Sequence, residues 1–174
     1  MKKLLIVIDY QNDFVDGSLG FEKAKEIEEK IVNKIKEYQK NNDEVIFTLD
    51  THYENYMDTK EGENLPVPHC IKGTKGHELY GKVKDLSINH LLIEKETFGS
   101  KDLVKFLENK EYTSIELIGV VTNICVISNA VIVKALQPNT EIIIDASCSA
   151  SNDEVLEQKA LDILKNLHIK VINE

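Results

Sequence analysis

Six short apolar runs recur along the chain, mostly separated by stretches whose apolar residues fall three or four apart. The runs are KLLIVI (3–8), EVIFTL (44–49), HLLIE (90–94), SIELIGV (114–120), EIIID (141–145) and KVI (170–172). They are rich in β-branched residues and apolar at successive positions, the pattern of strands buried on both faces. FEKAKEIEEKIVNKIKEYQKNN (21–42) sets Phe21, Ala24, Ile27, Ile31, Ile35 and Tyr38 at helical spacing, with charges elsewhere. Further helices are predicted over about 100–109, 124–136 and 153–167, while 51–85 reads as a long irregular segment.

Buried strands alternating with amphipathic helices imply an α/β fold of the doubly wound, Rossmann-like kind. The expectation is a single domain over 1–174 with a mostly parallel six-stranded sheet and helices on both faces. Right-handed crossovers follow. In such sheets the working groups gather beyond the carboxyl ends of the strands. Asp9, Asp50, His52, Glu94, Lys95, the Val121–Cys125 turn and Asp145 all fall on that edge.

Charge narrows the list of partners. A formal net charge of -9 argues against nucleic acid and against an anionic membrane surface, since both reward a basic face. No run approaches the roughly 20 apolar residues of a membrane span. The opening MKKLLIVIDY faintly mimics a signal peptide, but its apolar run is short and meets Asp9 with no small-residue cleavage site. The expected setting is cytoplasmic. Three cysteines without a CxxC pair are then expected as free thiols.

GVVTNICV (119–126) places Cys125 between a buried strand and a helix start. Unpaired N–H groups and the helix dipole favour an anion there, which lowers a thiol pKa, and the same donors can hold a developing oxyanion. The alternative is a buried cysteine serving as a small hydrophobe. A nucleophilic thiol needs a proton acceptor. His90 and His168 lie away from the strand edge, whereas Asp9 and Lys95 lie on it. Asp9 could accept the proton and Lys95 could steady both anions; otherwise Asp9 is a turn former and Lys95 a solvated cation.

A second group lies in LDTHYENYMDTKEGENLPVPHC (49–70). Asp50 and His52, two apart in extended chain, point the same way, and His69 can close on them after the loop. Histidine and carboxylate in this spacing suit zinc, iron or manganese. The plainer reading is a polar loop covering the sheet edge.

VIDYQNDF (7–14), IEKETFGS (93–100) and GVVTNICV (119–126) resemble, in order, the three signature blocks of the isochorismatase-like cysteine hydrolases. The resemblance implies a catalytic Asp9–Lys95–Cys125 triad, a cis peptide between Val120 and Val121, and an oxyanion hole from the Val121 and Cys125 N–H groups. Phe14 matches a position that packs against the substrate ring, with Val121 beside it. Asp50, His52 and His69, followed by HCIKGTKGHELYG (69–81), resemble the metal site of the nicotinamidase branch. That implies one divalent transition metal, zinc first, with iron or manganese as alternatives. The branch varies in its fourth ligand, for which Glu61 is the first choice here, ahead of Asp58 and Glu63. With no tryptophan in the chain, Tyr53 or Phe98 would complete the ring contact.

The resemblance therefore implies a metal-dependent amidohydrolase of nicotinamidase type, active in NAD salvage. It would cleave nicotinamide or a similar small carboxamide to acid and ammonia through a cysteine thioester, in a homo-oligomer. One alternative keeps the triad but acts without metal on an N-carbamoyl compound, a ureido compound or isochorismate. Another is a non-catalytic binding protein on the same scaffold.

Overall fold

A computed structural model describes residues 1–174. The first strand, β1 (Leu4–Ile8), is buried along its whole length. Leu5 and Val7 face one apolar core, while Leu4, Ile6 and Ile8 face another. A strand between two cores cannot alternate apolar with polar, which is why its sequence runs apolar throughout.

A short helix α1 (Asn12–Val15) follows, then α2 (Glu22–Glu26), α3 (Glu28–Lys40) and β2 (Glu44–Asp50). The single helix expected over 21–42 is thus two, broken at Ile27. Backbone there stays near helical (φ -85°, ψ -4°), so the apolar spacing passes through the break unchanged. The segment from 51 to 85 is more ordered than expected. It holds 3₁₀ turns at Tyr56–Asp58 and Lys75–His77 and the helices α4 (Lys60–Asn64) and α5 (Gly81–Leu86).

Next come β3 (Leu91–Lys95), α6 (Lys101–Leu107), β4 (Ser114–Val120), a wide π-type turn at Thr122–Val126, and α7 (Ile127–Leu136). The chain closes with β5 (Glu141–Ala150), α8 (Glu154–Asn166) and β6 (Lys170–Ile172). β5 runs five residues beyond the expected 141–145, because its second half, ASCSA, is small and polar and carries no apolar signal.

All six strands are parallel, in the order β3-β2-β1-β4-β5-β6. Residues of α3 and α5 (Ile31, Ile35, Val83) cover one face. Those of α6, α7 and α8 (Leu103, Val133, Leu164) cover the other. The fold is the doubly wound α/β arrangement, and the order in which strands are added to the sheet reverses between β1 and β4. At such a switch point the loops leaving two central strands diverge and open a crevice at the carboxyl edge. No helix is long and apolar enough to cross a membrane.

Candidate active site

Asp9 directly follows β1 at the switch point, with φ at 47°, a left-handed conformation that aspartate tolerates better than most residues. Its N–H donates to the Thr48 carbonyl at 3.2 Å, and Thr48 Oγ1 donates to Asp9 Oδ1 at 2.6 Å. Lys95 ends β3, two strands away, and its long side chain reaches back past Asp50 at the end of β2. Its Nζ lies 2.6 Å from Asp9 Oδ2, 3.2 Å from Asp50 Oδ1 and 3.7 Å from Cys125 Sγ, and donates to the Thr97 carbonyl at 3.1 Å. Asp9, Lys95 and Cys125 therefore meet, all three buried.

Burial sets the electrostatics. It raises the Asp9 carboxyl above 3.8 despite the opposing Lys95 charge, with Asp50 adding to the rise. Burial disfavours charge on Lys95, yet Asp9, Cys125 and Asp50 outweigh it and hold the ammonium well above its ordinary value. Burial also pushes the Cys125 thiol well above 9.0; the Asp9 carboxylate adds to this and Lys95 opposes it. This corrects the expectation of a thiol acidified by a helix start. Cys125 occupies the π-type turn ahead of α7, with its residue only 4% exposed, and desolvation dominates. The cis peptide lies at Val120–Val121, and the Val121 carbonyl accepts from the N–H groups of Ile124 and Val126.

A second cluster adjoins the first. Asp50, His52, Glu61 and His69 bring one donor atom each to within 4.8 Å of one another. His52 Nε2 is 3.0 Å from Asp50 Oδ2 and 3.6 Å from Glu61 Oε1; His69 Nε2 is 3.4 Å and 3.7 Å from the same atoms. Donors about 2.1 Å from a shared ion stand roughly 3.0–3.4 Å from their neighbours. The Asp50 spacings match this and the Glu61 spacings exceed it by a few tenths of an ångström. Two imidazoles with two carboxylates are a donor set suited to a divalent transition metal. His69 Nδ1 is 2.8 Å from the Val67 carbonyl, a contact that leaves Nε2 free to point into the cluster. The carboxylates Asp50 and Glu61 overcome the burial of His52 and push its pKa up to about 9. Asp50, though buried, is held well below the usual carboxylate range by His52, His69 and Lys95.

Asp58 and Glu63 stay exposed outside the group, Glu63 paired with Lys60. Cys70 is turned into the apolar core.

Both clusters open on one cavity of about 190 Å³. Cys125, Asp50, Glu61 and His69 contribute to its lining, and Phe14, Leu19, Phe21, Leu65, Phe98, Val121, Ile124 and Asn152 complete it. Of the two aromatic candidates, Phe98 is on this wall and Tyr53 is not. Phe21, counted in the helical pattern, lies just ahead of α2, where it packs against the core and also lines the cavity.

Several supporting residues carried no usable signal in the sequence. Gln11 is wholly buried, accepts from the Asp50 N–H at 2.7 Å, and donates to the Asp50 and His77 carbonyls, both at 2.8 Å. Asp13 Oδ2 accepts from the Cys70 N–H at 2.8 Å, holding the chain next to His69. Only the QNDF stretch of the first motif hinted at either.

A buried thiol, carboxyl and amine at the switch point of a parallel sheet define an α/β enzyme with an enclosed nucleophile. Residues 3–173 match the isochorismatase domain, and the chain belongs to the isochorismatase family. It is 42% identical to the isochorismatase family protein PncA of Bacillus subtilis strain 168 over 143 residues, covering 75% of this chain and 78% of that one. Among solved structures, nicotinamidase PncA from Bacillus subtilis superposes with a TM-score of 0.88 at 33% identity, covering 99% of this chain and all of that one. A pyrazinamidase of Pyrococcus horikoshii in complex with zinc gives 0.85 at 27% identity, with full coverage of both chains.

Proposed function

We propose that this chain is a metal-dependent amidohydrolase of nicotinamidase type, converting nicotinamide or a similarly small neutral ring carboxamide to the acid and ammonia. The observation that carries the reading is one small cavity faced at once by the Cys125 thiol and by the Asp50, Glu61 and His69 group. The nicotinamidase and the zinc-bound pyrazinamidase among the similar structures support the same substrate class and metal.

Asp50, His52, Glu61 and His69 would hold the ion, zinc in the first instance, and when bound it supplies a Lewis-acidic anchor for a ring nitrogen. Phe14 and Phe98 flank the ring. Asp9 takes the Cys125 proton as sulfur bonds to the carboxamide carbon; its raised pKa makes it the stronger base. Lys95 steadies the charge that moves between them. The N–H groups of Val121 and Cys125 donate to the oxygen that gains negative charge. Asp9 passes the proton to the departing nitrogen, which leaves as ammonia, and a thioester remains. Water then gives a proton to Asp9 and attacks the thioester carbon, releasing the acid and restoring the thiol.

The cavity wall also supports a neutral substrate. It is mostly apolar and carries two carboxylates but no lysine or arginine. Isochorismate and N-carbamoyl amino acids bear carboxylates, which in the metal-free alternative would meet Asp50 and Glu61 with no lysine or arginine on the wall to match them. A cytoplasmic setting accords with three unpaired cysteines. An assembly of identical copies accords with the exposed apolar residues Val131 and Leu136 on α7.

Ammonia release from nicotinamide by the zinc-loaded protein tests the reading. Cys125→Ala should lose at least about a thousandfold in rate while keeping its metal. Normal release by that variant, or release from N-carbamoyl compounds in preference to nicotinamide, contradicts it.

A further inference from the structure

Asn129 sits on α7 one helical turn beyond Cys125 and is wholly buried. Both ends of its side-chain amide are committed to backbone. Oδ1 accepts from the Ser100 N–H at 2.9 Å, while Nδ2 donates to the Phe98 carbonyl at 3.0 Å and to the Cys125 carbonyl at 2.8 Å. One amide thus joins the loop that follows β3 to the turn that carries the thiol.

Both joined segments carry working groups. Phe98 forms part of the cavity wall, and the Thr97 carbonyl accepts from Lys95 Nζ. Ser100 caps α6 by accepting from the Leu103 N–H. Gly99 lies so close to Ile132 of α7 that an added Cβ would press on that side chain. Phe98 itself is 46% exposed, so its own packing holds it weakly and the backbone bonds to Asn129 fix its place.

We infer that Asn129 is a positioning residue: it locks the 97–100 loop against the nucleophile turn, setting the Phe98 wall and the carbonyl that aims Lys95. Its effect on turnover rests on the amidohydrolase reading above; its effect on the loop does not. The position demands a side chain that donates twice and accepts once. Aspartate keeps the shape but turns an oxygen towards two carbonyls, and serine is too short to span both segments.

The chain contains no tryptophan, so Phe98→Trp places a single fluorophore on the loop. Acrylamide quenching is compared in this protein with and without Asn129→Ser or Asn129→Asp. The same two Asn129 substitutions, made without the tryptophan, are assayed for ammonia release from nicotinamide. Quenching should rise about twofold, and KM should rise about tenfold with a smaller fall in kcat, because the lost bonds place a wall of the site. Asn129→Ser is the milder change and carries the test where the buried charge of Asn129→Asp prevents folding. Unchanged quenching in a folded Asn129→Ser protein overturns the inference, as does an unchanged KM. Raised quenching in a protein whose unsubstituted form does not hydrolyse nicotinamide supports the tether and counts against the amidohydrolase reading alone.

Discussion

Gly119 of β4 stands directly opposite Ile8 of β1, at a φ of 116° and so close that a Cβ on Gly119 would run into the Ile8 carbonyl. The approach lies one residue before Asp9 and six before Cys125, and it brings the two strand ends together at the switch point. Gly119→Ala meets both a strained backbone and a clash with main chain. It should cost about 2 kcal/mol or more in unfolding free energy, and any folded fraction should turn over poorly. Denaturant titration with a parallel activity assay checks both parts.

Asp9 and Lys95 act on the thiol in opposite directions. Asp9→Asn removes the charge that raises the Cys125 pKa, so iodoacetamide should alkylate Cys125 faster at a given pH. Ammonia release should nevertheless fall by about 10²–10⁴, the usual worth of a positioned acid–base group. Lys95→Met should slow alkylation and turnover together. Unchanged alkylation of Asp9→Asn would show that burial alone sets the thiol, and slower alkylation would show that the carboxylate promotes the thiolate instead of opposing it.

On the α3 face of the sheet, Lys34 Nζ lies 2.9 Å from both Glu116 Oε1 and Asp145 Oδ2, and Tyr38 donates to Glu116 Oε2 at 2.6 Å. Lys34→Met leaves two buried carboxylates facing each other. The cost should be about 3 kcal/mol at pH 7, the low end for a broken buried pair because the Lys34 side chain is 17% exposed.

The pH dependence of that network has a definite sign. Burial raises the Asp145 pKa, but Lys34, Ser147 and Asn173 outweigh it and hold the carboxyl below 3.8. Its contribution is therefore present above pH 3.8 and lost as pH falls through the folded value. The thermal stability of the unsubstituted protein should drop on acidification through that range. The deficit of Lys34→Met should shrink there, because its carboxylates can protonate. A deficit that is independent of pH contradicts the assignment.

Glu61 is the most exposed of the four grouped donors, with a side chain 19% exposed against 2–6% for the others. Glu61→Gln should weaken zinc binding by about tenfold or more, read by competition with a chelator. Chelation of the unsubstituted protein should lower the melting temperature as well as the activity, since an ion bound only to the folded state stabilises it. A melting temperature indifferent to chelation would argue against a metal in this cluster.

The strands were legible because each is an apolar run bounded by polar residues, and strand ends alone brought Asp9, Lys95 and Cys125 to one edge. The helices between 51 and 85 were not. α4 and α5 have five and six residues, too few for a periodic stripe, and distant side chains hold the intervening chain. Among these, Gln11 bonds Asp50 and His77, and Asp13 bonds Cys70. Glu61 could be named only by a motif comparison, since its approach to His52 and His69 depends on how α4 seats on Tyr56. The direction of the Cys125 shift failed for a similar reason. Local sequence shows the turn, but burial of the thiol is decided by residues far along the chain.

Nucleophilic attack by Cys125 is tested most directly by quenching the protein in acid during turnover of nicotinamide and measuring its intact and peptide masses. A nicotinoyl increment confined to the peptide bearing Cys125, and absent from Cys125→Ala, is the expected result. Steady turnover with no acyl increment under conditions that trap a thioester, or an increment on another residue, would contradict it.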